Sequence, residues 1–296
     1  MQTKNKNIAV LLASYNGSAF IQKQVDSILN QKNVNVDLLI SDDASSDETL
    51  KILKQIIKKN KNVQIISSNR KGGPAANFYF LIKNLKTKNY DYIALSDQDD
   101  IWPLNRLERA TSILKSKKYD AYSSDVIAFN ETFNGLKLIR KSYPQKKYDY
   151  FFETPGPGCS FILSKSYFSF LQSFLKINKV NFIYHDWLIY AVARHYSFRW
   201  FIDDCPNLYY RQHENNYIGA NSGFHARVKR LNRILFGEYY KELISLYHLI
   251  NKGEKKLNFL RVFIFVINFK HTRRKFHHAV LMIPFLLIVS IQKNEI

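Results

Sequence analysis

Tyr92-Ile93-Ala94-Leu95-Ser96-Asp97-Gln98-Asp99-Asp100-Ile101-Trp102 begins as an apolar run and ends in three carboxylates within four residues. The run suits a buried parallel strand. Pro103 follows, where a helix can begin. A strand that breaks into carboxylates ahead of a helix places them at the carboxyl edge of a sheet. That is the edge where open α/β sheets bind ligands. Alternate spacing lets Asp97 and Asp99 approach one ion, and their oxygens suit Mg²⁺ or Mn²⁺. Three other readings stand beside this one. The cluster could be a solvated acidic turn, since Asp is common in turns. A calcium loop could use Asp97, Asp99 and Glu108, but Trp102 stands where that loop needs glycine. A phosphohydrolase nucleophile would want a hydroxyl-bearing partner where Pro103 stands.

Upstream of this stretch, strands and helices alternate. Ile8 to Ser14 reads as a buried strand, and Tyr15-Asn16-Gly17 turns out of it. Ser18 can cap a helix to about Gln31. Val36 to Ser41 is a second strand, ending in Asp42-Asp43-Ala44-Ser45-Ser46. Ser45 with Glu48 fits a capping box for a helix from Asp47 to about Lys59. Val63 to Ser67 is a third strand, Arg70 to Pro74 a loop, and Ala75 to Leu85 a helix. The acidic strand follows, then a helix from Pro103 to about Lys117. This βαβ spacing predicts an α/β fold with a mostly parallel, doubly wound sheet. Neither a G-x-G-x-x-G turn nor a Walker lysine loop is present. Phosphates must then be met by a metal and basic side chains.

The second half is less regular. Ala121 to Phe129 reads as a strand, and Asn130 to Tyr150 as polar and irregular. Thr154-Pro155-Gly156-Pro157-Gly158-Cys159 is a stiff turn into Ser160 to Leu163. Such a turn lets backbone approach a ligand, or merely connects. His185-Asp186-Trp187 opens an apolar helix to about His195, and Asp186 could simply cap it. Phe198 to Ile202 and Leu208 to Tyr210 read as short strands, followed by the polar loop Arg211-Gln212-His213-Glu214-Asn215-Asn216.

Composition bounds the rest. The 296 residues suffice for one large or two small domains. Net charge is +20, from 44 Lys and Arg against 24 Asp and Glu, which favours anionic partners. Residues 224–296 hold 14 Lys and Arg against 4 Glu, so half of the excess lies in the last quarter. Cys159 and Cys205 form neither a metal-ligand spacing nor a disulfide framework, which suits a reducing compartment. The N-terminus reads as free of a signal peptide. No apolar stretch reaches the roughly 20 residues that span a bilayer. Ala279 to Ile291, interrupted by Pro284, is too short to span and long enough to embed.

Four features now stand in order: Ser14-Tyr15-Asn16, Asp42-Asp43-Ala44-Ser45, Ser96-Asp97-Gln98-Asp99-Asp100 and His185-Asp186. Together they resemble glycosyltransferase family 2, inverting sugar-nucleotide transferases of GT-A fold, over roughly Asn7 to Asn216. The Ser-Asp-Gln-Asp-Asp-Ile-Trp form, Gly158-Cys159, His-Asp-Trp and Arg-Gln-His look like the bacterial rhamnosyltransferase branch. The Gln-x-x-Arg-Trp motif of processive synthases is absent, so the resemblance implies a single addition. It implies residues 1–222 as the transferase domain, with a nucleotide-binding half to about 120 and an acceptor half beyond. Residues 223–296 would form a basic helical extension.

The resemblance also implies roles. Asp97 and Asp99 would hold Mg²⁺ or Mn²⁺ at the donor diphosphate, with Asp97 close to the nucleotide. Asp43 would meet the pyrimidine, with Ser14, Asn16 and Arg70 completing the nucleotide site. Arg211 and His213 would contact the diphosphate, an anion that suits the Arg fork. Gly158, Cys159 and Trp187 would face the acceptor. Asp186 would be the general base. Arg227, Lys229, Arg230 and Arg233, with Lys270, Arg273, Arg274 and Lys275 ahead of the apolar run, read as attachment to an anionic membrane surface. The alternative there is a buried helix with a solvated basic face.

These features combine into one expectation. A nucleotide-sugar donor, perhaps dTDP-L-rhamnose, gives one sugar to a lipid-linked saccharide, in the cytoplasm on the inner face of a bacterial membrane, during surface polysaccharide synthesis. A sugar-phosphate nucleotidylyltransferase would want a glycine-rich basic loop after the first strand, and Tyr15-Asn16-Gly17-Ser18 is a poor version. A nucleic-acid-binding protein would gather its basic residues on a reading surface, whereas here they flank an apolar run. No nucleic-acid partner is expected.

Overall fold

The computed structural model of the chain describes residues 5–130, 135–213, 238–251 and 259–291. Its first half is built on β1 (Lys6–Ser14), β2 (Val34–Asp42), β3 (Val63–Ser67) and β4 (Tyr92–Ser96), all parallel. β1 lies between β2 and β4, which is why Ile8-Ala9-Val10-Leu11-Leu12 is apolar without a break. Both of its faces are covered. Alternation then sorts the side chains. Ala9 and Leu11 join Ile93 and Leu95 in one core, while Ile8, Val10 and Leu12 join Ala94 in the other.

Helices α1 (Ile21–Leu29), α2 (Thr49–Lys59) and α4 (Arg106–Ser116) cover the second of these faces. α3 (Pro74–Asn84), α5 (Lys165–Ile177) and α6 (His185–His195) cover the first. α1 buries Ile21, Gln24, Val25 and Ile28, the spacing of one helical stripe.

β5 (Ala121–Ser124), β8 (Ile162–Ser164) and β9 (Trp200–Asp203) complete a seven-stranded sheet in the order β3-β2-β1-β4-β8-β5-β9. β6 (Val126–Phe129), β7 (Lys137–Ile139) and β10 (Tyr209–Arg211) form a second sheet in the order β10-β6-β7. The expected α/β fold with a mostly parallel sheet is found; β8 alone of the seven strands runs antiparallel to its neighbours.

Several local expectations are corrected. Ala121 to Phe129 is two strands, not one. The Asp125 carboxylate accepts the backbone N–H groups of Lys141 and Ser142 at 2.6 and 2.8 Å, and the chain changes sheets there. α5 had no counterpart in the sequence reading. Its signal was present: the Ser164 hydroxyl accepts the Tyr167 N–H, and Tyr167, Phe168, Leu171, Phe174 and Leu175 form its buried stripe. Ser18 does not cap α1; its N–H donates to Asp47 Oδ2 at 3.0 Å. Ser45 does not cap α2 either: its hydroxyl accepts the Asn16 N–H at 2.8 Å and donates to Asp42 Oδ2 at 2.6 Å. Asp47 instead accepts the N–H of Thr49, the first residue of α2, at 3.0 Å.

Beyond β10, α7 (Glu238–Ile250), α8 (Phe259–Ile267) and α9 (Phe276–Ile291) pack Leu243, Leu246, Val262, Phe265, Met282 and Leu286 into the same core as α6. Among the described residues no helix is long and apolar enough to cross a membrane.

Candidate active site

β4 delivers Asp97-Gln98-Asp99-Asp100 to the sheet edge, and the loop is pinned from two sides. Toward β1, the Gln98 amide clamps the Tyr15 backbone, accepting its N–H at 2.8 Å and donating to its carbonyl at 2.9 Å. A side-chain carbon on Gly17 would strike the Gln98 amide oxygen at 2.2 Å, so this clamp needs glycine there. Toward β10, Ile101 and Tyr209 exchange backbone hydrogen bonds, each 3.0 Å. That bridge brings Arg211 and His213 onto the acids. The Arg211 N–H donates to Asp100 Oδ1 at 3.1 Å, and its Nε to the Asp99 carbonyl at 2.7 Å. His213 Nε2 lies 2.8 Å from Asp99 Oδ2, its ring stacked on Phe20.

Arg211, expected at the diphosphate, is only 3% exposed, with its guanidinium against the rings of Phe20 and Phe129 at 4.7 and 4.5 Å. Here it braces the acidic loop.

The electrostatics of this loop favour a cation. Single ligand atoms of Asp97, Asp100 and Cys159 lie within 4.8 Å of one another. Burial, then the neighbouring Asp99, pushes Asp97 up to about 7. The same two causes raise Asp100, whose Oδ2 is buried without a hydrogen-bond donor on it. Burial and these acids together push the Cys159 thiol up. Desolvated like charges are relieved by a positive charge, and carboxylate oxygens suit a hard divalent ion. The residues present therefore fit a divalent metal. The structure gathers Asp97 and Asp100 most closely, while one oxygen of Asp99 turns to His213.

Where a nucleotide was expected, the residues named for it hold their own loops together. The Ser14 hydroxyl is buried and donates to Asp42 Oδ2 at 2.8 Å. Asn16, with φ 46°, accepts the Ser46 N–H at 2.9 Å. The Asp43 carboxylate accepts three backbone N–H groups, from Lys71, from Gly72 at 3.1 Å and from Gly73 at 2.8 Å, which fixes the 71–73 loop. Arg70 lies over the half-exposed Tyr15 ring at 5.6 Å.

Asp186 sits in the first turn of α6, where its Oδ1 accepts the Trp187 N–H at 2.8 Å. Part of the capping role is thus real. Burial nonetheless raises its pKa, against the lowering effects of that N–H, Lys141 and the Thr154 hydroxyl. Its charge also contributes to raising Asp97, so the two carboxylates share one region. Next to it, the His185 ring stacks on Phe78 at 4.2 Å, and burial lowers it to about 3. A side-chain carbon on Gly158 would lie 2.3 Å from His185 Nε2. Of the three residues expected at the acceptor, Gly158 thus seats His185 and Cys159 lies under the acids. Trp187 is 6% exposed, with Nε1 donating to the Tyr150 carbonyl at 2.9 Å and its ring stacked on Tyr239.

Sequence reasoning missed two braces. Gln98 stood in the quoted stretch without a role. Arg106 is fully buried over Trp102 at 4.2 Å, donating to the Cys159 and Asn207 carbonyls at 2.6 and 2.9 Å. Its place on a buried helix face was the only signal. Asn216, Arg227, Lys229, Arg230 and Arg233 lie outside the described residues.

A mostly parallel α/β sheet with an acid-rich carboxyl edge fits a nucleotide-sugar transferase of GT-A type. Residues 9–190 match Glycosyl transferase family 2, and the chain belongs to that family. It is 40% identical over 241 residues to the dTDP-rhamnosyl transferase RfbG of Shigella flexneri, covering 79% of this chain and 83% of that protein. Over 157 residues it is 26% identical to the UDP-Glc:alpha-D-GlcNAc-diphosphoundecaprenol beta-1,3-glucosyltransferase WfaP of Escherichia coli, covering 53% and 59%. Among solved structures, S. aureus TarS 1–349 in complex with UDP-GlcNAc matches in fold. Its TM-score is 0.54 and its identity 15%, over 98% of this chain and 92% of that one.

Proposed function

We propose that this glycosyltransferase moves one L-rhamnose unit from dTDP-L-rhamnose to a lipid-linked saccharide at a membrane surface, with inversion. The observation that carries the reading is that one turn joins the head of α6 to the acidic loop after β4: Gly158 seats His185, the neighbour of Asp186, and Cys159 lies within 4.8 Å of ligand atoms of Asp97 and Asp100. One carboxylate is available to take a proton, and the others crowd where a diphosphate with its counter-ion would sit. Asp97 and Asp100, with Asp99 held by His213, would hold a divalent ion, Mg²⁺ or Mn²⁺. Bound there, it would offset the charge on the departing diphosphate. Asp186 accepts the proton of the acceptor hydroxyl as its oxygen bonds to the anomeric carbon and the bond to the diphosphate oxygen breaks on the opposite face. Asp43 and the 71–73 loop, with Tyr15 and Arg70 nearby, would form the nucleobase wall.

The similarity to RfbG supports the dTDP-rhamnose donor, and the acceptor in the name of WfaP supports a lipid carrier. The C-terminal helices support attachment to an anionic leaflet in the cytoplasm of a bacterium. They expose Phe263, Ile267, Phe276 and Leu281, with Lys270 and Lys275 nearby in sequence. Calorimetric titration of dTDP, UDP and GDP sugars, each with and without Mn²⁺, tests the reading. Metal-dependent binding of dTDP-L-rhamnose is expected. Binding of a UDP or GDP sugar in its place would overturn the donor assignment.

A further inference from the structure

Residues 148–154 form a strap held from both sides. On one side is the C-terminal segment. The His271 carbonyl accepts the Tyr148 N–H at 3.0 Å, and the Tyr239 hydroxyl donates to the Phe152 carbonyl at 2.5 Å. Arg274, 6% exposed, makes the densest contact. Its N–H donates to Glu153 Oε1 at 2.6 Å, and its Nε lies 3.3 Å from Glu153 Oε1 and 3.7 Å from Asp149 Oδ2. A terminal nitrogen donates to the Thr154 carbonyl. On the other side is the first half of α6. The Tyr150 carbonyl accepts Trp187 Nε1 at 2.9 Å, and Asp149 Oδ2 accepts the Tyr190 hydroxyl at 3.0 Å. Trp187 and Tyr190 flank Asp186 by one and four residues. The strap ends at Thr154, whose hydroxyl reaches the Gly156 carbonyl at 2.6 Å and lies beside the Asp186 carboxylate.

We propose that Arg274 is a positioning residue for the reaction: from the C-terminal segment it fixes the strap that sets Thr154 and the first turn of α6 around Asp186. The inference rests on reading Asp186 as the base. It takes Arg274 out of the membrane-facing basic cluster and makes the extension part of the active site. The chemistry suits the task. The guanidinium puts its charge within 3.3 and 3.7 Å of two buried carboxylates while a terminal nitrogen donates to the Thr154 carbonyl, a planar spread that a lysine's ammonium does not match. Asp149 also bonds Arg194 at 3.0 Å, so the strap carries two acids against two arginines. Removing one arginine leaves a buried acid underpaired and the strap free to shift.

The test is kinetics of the full-length enzyme for Arg274→Ala, Arg274→Lys, Thr154→Val and Asp186→Asn. The groups facing Asp186 are Lys141, Asp97, Tyr79, His185 and the Thr154 hydroxyl. His185 and Tyr79 stay neutral through the working range, since burial lowers the first and raises the second. Arg274→Ala and Thr154→Val should each lower kcat about tenfold or more, the usual range for a supporting contact. The donor KM should stay within about twofold, because the nucleotide walls belong to the other half of the chain. Arg274→Lys should recover part of the kcat loss. Should Arg274→Ala fail to fold, Arg274→Lys, which keeps the charge and loses the fork, decides by the same split between kcat and donor KM. Unchanged kcat in Arg274→Ala, or in Arg274→Lys where only that variant folds, with Asp186→Asn inactive, would overturn the inference and leave the base standing. An active Asp186→Asn would overturn both.

Discussion

Asp186 is where composition stops and environment decides. In water an Asp side chain titrates near ~3.9. Here burial raises it, while the Trp187 N–H, Lys141 and Thr154 hold it partly down. The proposed base works only when ionised, so the rate should fall as pH drops through a value above that of an ordinary Asp and level off above it. A pH profile of kcat checks the limb, and it should vanish in Asp186→Asn. That variant should lose about 10²- to 10⁴-fold in kcat, the usual worth of a general base, with donor affinity unchanged by calorimetry. Asp97→Asn should behave oppositely: donor binding that depends on Mn²⁺ should weaken, because Asp97 belongs to the crowded acidic set. Equal Mn²⁺ dependence in that variant would remove Asp97 from the metal site. Both acids were legible as candidates because each ends or opens an element at the ligand-binding edge of the sheet, although a turn or a helix cap uses the same residue type. For Arg211 it was not. A basic residue after a strand reads as a phosphate contact, yet its side chain lies between Phe20 and Phe129, and nothing local announces that turn.

At the scale of elements, the turn before β8 and the first turn of α6 meet through a single missing side chain. Gly158 is absent from the positive-φ residues, so its backbone would accept alanine. Space is the obstacle, with the added carbon 2.3 Å from His185 Nε2. The ring cannot simply retreat, because Phe78 backs it at 4.2 Å. Gly158→Ala should cost about 1–3 kcal/mol by overpacking and lower kcat by displacing α6. Urea unfolding measures the first, and a midpoint equal to the parent's would mean that the ring moves freely. The alternation of strands and helices up to Lys117 was legible because each step is local: an apolar run, a turn, an amphipathic stripe. The break at Asp125 was not, since it depends on the amides of Lys141 and Ser142 arriving from a later loop. The reversed direction of β8 likewise leaves no mark in Ile162-Leu163-Ser164. α5 could have been found from its Ser164 cap and its apolar stripe.

For the molecule as a whole, the question is whether a chain of net charge +20 meets a membrane surface, as the proposed lipid-borne acceptor requires. The C-terminal helices face two ways. Ala279, Met282 and Leu286 turn into the core, while Phe276, Val280 and Leu281 are 63%, 42% and 69% exposed. Exposed apolar side chains beside basic ones gain by insertion into an anionic leaflet, through burial of their surface and through attraction that salt screens. Cutting the segment off would be a poor test, because Arg274 and Tyr239 reach from it into the strap beside α6. A point change on the outer face separates the two roles. Leu281→Glu adds a charge where there is no core to disturb. It should leave the thermal midpoint and transfer to a short water-soluble acceptor within error, while lowering cosedimentation with vesicles containing anionic lipid. The parent chain should bind such vesicles better than neutral ones and lose that advantage in high salt. Equal sedimentation of Leu281→Glu and the parent would mean that this face is not the one that meets the lipid, and the exposed apolar residues of α9 would need another partner.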